Sequence, residues 1–133
     1  MIRKRSHTPP DVSVEIHHDA RAPGTARRAV APLLVEDGEF AERVELAASE
    51  LVTNVVEHTD DGGRFEAWDS DPLVVAVSDT DRRIPTIPER STIRGGRGLS
   101  IVDQVADDWG VEPTDTGKVV WAEFDRPEPG ANT

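Results

Sequence analysis

Glu50 and Asn54 stand four residues apart in Glu50-Leu51-Val52-Thr53-Asn54, a spacing that brings both side chains to the same side of a helix. A carboxylate and an amide oxygen are hard donors of the kind Mg²⁺ accepts, and a carboxylate beside a metal-bound phosphate can also take a proton from a hydroxyl. Taken alone, such a pair describes a solvated helix face equally well. Asp79 follows the apolar run Leu73 to Val77 and Ser78. That places a carboxylate at a strand tip, where it can accept a hydrogen bond from an exocyclic amine such as that of adenine, or simply open a turn. Gly95-Gly96-Arg97-Gly98-Leu99 leads directly into a helical pattern. Its flexible backbone can approach a ligand closely while the helix N-terminus offers free N–H groups to an anion, a phosphate cradle in chemical terms and a plain flexible loop otherwise. The segment lacks the Gly-Lys-Ser/Thr ending of a Walker loop and the glycine spacing of a dinucleotide fingerprint. His17, His18 and His58 have no zinc-ligand spacing, and no Gly-x-Ser-x-Gly elbow supports serine hydrolase chemistry.

The elements that must position these residues are legible from periodicity. Val12, Val14 and Ile16 alternate with polar residues, which predicts a strand with one buried face. Ala26 to Glu36 carries a helical stripe interrupted by Pro32. After Asp37-Gly38, the series Phe40, Val44, Ala47, Ala48, Leu51, Val52 and Val55 predicts a long amphipathic helix from about Glu39 to His58. Asp60 to Gly63 is a turn. Phe65 to Trp68 and Leu73 to Val77 then read as two strands, the second central. The stretch from Asp79 to Gly98 holds Pro85, Pro88 and many arginines and is longer than structural connections need, which marks it as a functional loop. Leu99 to Ala106 predicts a short helix. Trp109 to Glu112 and Val119 to Phe124 predict a closing hairpin turning at Thr116-Gly117, with Trp68, Trp109 and Trp121 as packing residues. The order segregates helices to one face of a mixed, mostly antiparallel sheet, an α+β two-layer sandwich.

Composition narrows the function classes. The 133 residues include 26 acidic and 15 basic side chains for a net charge of −11, and there is no cysteine. Disulfides, thiol catalysis and cysteine-based zinc sites are excluded. The negative charge opposes attraction to phosphate backbones or anionic lipid, so neither nucleic acid nor membrane is an expected partner. With no membrane-length apolar run and no signal-like hydrophobic stretch after Met1, a cytoplasmic location is expected. Residues 1–10 and 126–133 read as flexible tails around one domain spanning 11–125.

Taken together, the Glu50 to Asn54 helix, the strand ending in Asp79, Gly96-Arg97-Gly98-Leu99, Trp109-Gly110-Val111 and the final Gly117-Lys118-Val119-Val120-Trp121-Ala122-Glu123 strand resemble one family. It is that of the anti-sigma-factor serine kinases, within the histidine-kinase-like ATPase superfamily, of the type found in actinobacteria. The likeness spans about Val12 to Phe124. It implies a Bergerat-type ATPase fold that binds ATP and Mg²⁺, with Asn54 as metal ligand, Glu50 as the base acting on a substrate serine, and Asp79 reading the adenine amine. Gly96, Arg97, Gly98 and Leu99 would hold phosphates beneath a lid formed by the Asp79 to Gly98 loop. It further implies two protein partners, a sigma factor that is sequestered and an anti-sigma-factor antagonist that is phosphorylated on serine, as well as a possible homodimer. Two positions depart from the pattern. Asp81 replaces a glycine two residues after the adenine carboxylate, and Val119 stands where many relatives carry a hydroxyl, which predicts a weaker hold on adenine. The competing expectation is a partner-switching module with a degenerate nucleotide site and little or no catalysis.

Overall fold

The computed structural model describes residues 8–35, 38–59, 61–81 and 97–128. The period-two segments become β1 (Val12–Ile16), β2 (Gly63–Trp68), β3 (Leu73–Asp79), β4 (Asp108–Pro113) and β5 (Lys118–Phe124). The helical stripes become α1 (Ala22–Val30), followed by a 3₁₀ turn at Ala31–Leu33, then α2 (Gly38–His58) and α3 (Arg97–Val105). The strands form one sheet in the order β1-β2-β3-β5-β4. All four pairings are antiparallel, so the mixed component of the expected sheet is not found among the described strands.

Strand alternation sorts the side chains into two layers. Phe65, Ala67, Leu73, Val75, Val77, Val120, Ala122 and Phe124 face the helices and join Ala26, Val30, Phe40, Val44, Leu51, Val52, Leu99 and Val102 in one core. Burying each large side chain of this set stabilises the fold by roughly 1.5–3 kcal/mol. The opposite face carries a smaller cluster of Trp68, Val74, Ala76 and Val119 with Trp121 packed against it. Trp68 there donates its indole N–H to the Thr8 carbonyl at 2.8 Å, a contact just outside the expected domain limit. No helix among the described residues is long and apolar enough to cross a membrane.

Both boundaries of α1 differ from expectation for physical reasons. α1 begins at Ala22 rather than Ala26, because Pro23 falls in the first turn, where its missing N–H is not needed. The α-helix stops at Val30 and Pro32 sits in the 3₁₀ turn, where the chain does not require the i−4 hydrogen bond that proline lacks. β3 extends past its apolar run to Asp79, as the strand-tip reading expects, because Ser78 and Asp79 stay in register with Val119 and Lys118.

The Leu73–Phe124 end of the sheet is tied down by two arginines. Arg43 of α2 donates to the Val105 carbonyl at 3.0 Å, capping α3, and pairs with Asp107 at 3.2 Å. Arg126, inside the expected C-terminal tail, donates to the Ser70 carbonyl at 2.9 Å and to the Leu33 carbonyl at 3.4 Å. It also pairs with Asp69 and lies over the Phe40 ring at 5.7 Å.

Candidate functional site

Connectivity brings the singled-out residues to the other end of the sheet. α2 ends at His58, Thr59 donates its backbone N–H to the Val55 carbonyl at 3.0 Å, and its hydroxyl accepts from the Gly62 N–H at 3.2 Å. The chain therefore passes tightly into β2, whose first residue, Gly63, is the cross-strand partner of Asp79. Asn54, one turn before the end of α2, and Asp79 share that end of the sandwich. α3 packs along α2 with its C-terminus fixed beside Arg43, near the start of α2. Its N-terminal end, at Arg97, is thus directed toward Asn54.

Two glycines bring backbone together around Asp79. A Cβ on Gly63 would lie 2.1 Å from the Ser78 carbonyl oxygen, and one on Gly117 would lie 1.9 Å from the Asp79 carbonyl oxygen. Any side chain at either position would push β3 away from a neighbouring strand. Asp79 falls on the same alternation as Val75 and Val77, so its carboxylate belongs to the helix-facing side of the sheet. Lys118 shares the parity of Val120 and Ala122 and faces the same way.

These two side chains form a buried ion pair, 5% and 8% exposed. Lys118 Nζ donates to Asp79 Oδ1 at 3.0 Å, to Oδ2 at 3.2 Å and to the Asp81 carbonyl at 2.9 Å. The Asp81 backbone N–H donates to Asp79 Oδ1 at 2.9 Å. All three ammonium hydrogens are used, and Asp79 accepts three hydrogen bonds. Lys118 lies in the final-strand motif, which assigns it no role. Its signal in the sequence is parity, because it begins the series Lys118, Val120, Ala122, Phe124, whose other members are all buried.

Glu50 and Asn54 are half-buried on α2, beside the buried stripe Ala47, Ala48, Leu51, Val52 and Val55. Leu99 is 2% exposed and belongs to the core; its side chain anchors α3, which leaves only its backbone to meet a ligand. Gly98 lies in the first turn of α3. Gly96, the side chain of Arg97 and most of the expected lid lie outside the described residues.

The donor set fits an adenine nucleotide with Mg²⁺. A strand-end carboxylate, here bonded to Lys118, is of the type that accepts from an amine, a helix N-terminus of the type that meets phosphate, and an amide oxygen of the type Mg²⁺ accepts. Among the described residues no group of three or more His, Asp or Glu side chains is arranged to hold a metal. A cation at Asn54 would take its remaining ligands from phosphates and water, which is the habit of Mg²⁺ rather than of a metal caged by protein. A separate open depression of about 350 Å³ lies between β1 and α1, lined among others by Glu15, His17, Asp19, Arg21 and Arg28; it contains none of the residues above. At its rim the Arg21 backbone N–H donates to Asp19 at 2.7 Å. That bond, followed by the Arg21 side chain, holds the exposed Asp19 carboxyl below its ordinary range.

Residues 16–124 match the family model of the histidine kinase-like ATPase domain. No curated protein matches the sequence. Among solved structures, the chain is similar to the crystal structure of the RsbU and RsbW domains of Rv1364c from Mycobacterium tuberculosis, with a TM-score of 0.64 and 19% identity. The similarity covers 90% of this chain and 34% of that one, so the present chain corresponds to about a third of the longer protein.

Proposed function

The chain belongs to the family of histidine kinase-like ATPase domains, and from that premise we propose that it is an ATP-dependent protein-serine kinase. Its substrate is an anti-sigma-factor antagonist, and it also sequesters a sigma factor. The observation that carries the reading is the placement of Glu50 and Asn54, one turn apart and half-buried on α2, toward the same end of the sandwich as Asp79. ATP supplies the transferable phosphoryl group, and Mg²⁺ neutralises its charge. Asn54 holds the metal. Asp79 accepts a hydrogen bond from the adenine amine, and the N-terminus of α3 with Gly96, Arg97 and Gly98 engages the phosphates. Glu50 would accept the proton of the substrate serine hydroxyl as that oxygen bonds to the γ-phosphorus and the bond to the β–γ bridging oxygen breaks, leaving phosphoserine and ADP.

The test is radiolabel transfer from ATP to antagonists encoded in the same genome, with sigma-factor capture measured in parallel. Wild type is expected to transfer label. Glu50→Gln keeps the shape of the side chain and removes the proton acceptor, so transfer should fall by about 10²–10⁴ with little change in ATP affinity. A wild type that captures a partner and labels none of the antagonists would overturn the kinase assignment. The second reading, a partner-switching module with a degenerate nucleotide site, is favoured by one observation: Asp79 is already engaged by Lys118 and by the Asp81 N–H.

A further inference from the structure

The adenine-reading carboxylate is satisfied from within the chain. Lys118 directs all three of its ammonium hydrogens at Asp79 and the Asp81 carbonyl, and the carboxylate it engages is 5% exposed. An exocyclic amine approaching Asp79 would meet a cation using two of the acceptor positions it needs. Both partners sit on directly opposed positions of β3 and β5, so the strands hold the two Cα atoms together whether or not the side chains touch. The lysine stem is long and its ammonium can swing away while the sheet stays intact.

We propose that Lys118 is an internal stand-in for the ligand's amine, a specificity-setting positioning residue that keeps the nucleotide-free site closed and must be displaced before adenine is read. The proposal rests on the nucleotide reading above and concerns how that same site is regulated. A protein whose binding-competent state is populated only in part shows an affinity weakened by that fraction. A pair closed nine times in ten weakens apparent binding about tenfold. Residue 81 belongs to the same device through its backbone, which supplies both a donor to Asp79 and an acceptor for Lys118.

Two measurements test it. In the first, wild type and Lys118→Met, each shown folded by circular dichroism, are titrated calorimetrically with Mg²⁺-ATP. Methionine keeps the length of the stem and removes the ammonium. The variant should bind about tenfold or more tightly, although loss of a buried partner lowers its stability. Equal or weaker binding by Lys118→Met overturns the stand-in while leaving the nucleotide reading intact; absence of binding in both proteins overturns the two together. The second measurement uses wild type alone and does not depend on the variant folding. The chain has two lysines, Lys4 and Lys118, so reductive methylation followed by mass spectrometry gives the Lys118 rate relative to an internal reference. Without nucleotide, Lys118, 7% exposed, should react slowly, and saturating Mg²⁺-ATP should raise its relative rate several-fold. A relative rate unmoved by nucleotide overturns the displacement.

Discussion

The two ends of the sheet use charge in opposite ways. At the Leu73–Phe124 end, Arg43 and Arg126 reach across elements far apart in sequence. One joins α2 to the end of α3, and the other gathers the 3₁₀ turn, the β2–β3 connection and the Phe40 ring. Removing either guanidinium loosens contacts between segments that are distant in sequence. At the Asp79–Lys118 end, the ion pair joins two residues already paired across neighbouring strands. It therefore adds little cross-linking, while burying both charges costs desolvation. On the proposed function, an ion pair that a sheet does not need for its register belongs to the nucleotide site. A cation that ties together segments distant in sequence is better understood as architecture.

That contrast can be broken by experiment. The largest effect is expected for Asp79→Ala, which leaves the Lys118 ammonium buried without its counter-charge. The loss should be about 3–5 kcal/mol in denaturant unfolding, together with a roughly 10- to 150-fold loss of ATP affinity. Arg126→Ala, at a side chain 14% exposed, should cost about 1.5–3 kcal/mol through lost charge-assisted bonds and leave ATP affinity within about twofold. A larger shift in affinity would show that the two ends are coupled. Smallest is the contribution of Asp19, whose carboxylate is exposed in the connection between β1 and α1. Its native pKa lies below the ordinary 3.8 because the Arg21 backbone N–H, and then the Arg21 side chain, favour the ionised form. The native state thus binds that proton less readily than the unfolded chain, so the contribution is present above the unfolded pKa and lost as pH falls through the native one. Asp19→Asn should slightly flatten the acid limb of the urea midpoint below about pH 4 and leave neutral pH unchanged.

What the sequence made legible follows from which signals are local. β1 and α2 stand where alternation and the three-four repeat place them, because each buries one continuous face. α1 was misjudged at its start because Ala22-Pro23-Gly24 contains two residues that usually end structure, yet proline is well suited to a first turn. β3 ends at Asp79, where the strand-tip reading puts it, although the apolar run itself stops at Val77, because Ser78 and Asp79 remain in register with the partner strand. Among the candidate site residues, Glu50, Asn54 and Asp79 stand out by motif. Lys118 lies within the final-strand motif yet carries no expected role, since a lysine opening a strand ordinarily lies in solvent; its burial comes from a pairing 39 residues away in sequence.

Trp109 donates its indole N–H to Asp103 of α3 at 2.8 Å, whereas Trp68 and Trp121 belong to the opposite face of the sheet. The three indoles therefore divide into one optical reporter coupled to the helix whose N-terminus is directed at the site, and two screened from that helix by the sheet. Any reorientation of α3 would alter the polarity around Trp109 alone. Its emission could then be followed without an attached dye, with Trp109→Phe removing the signal and Trp68→Phe preserving it.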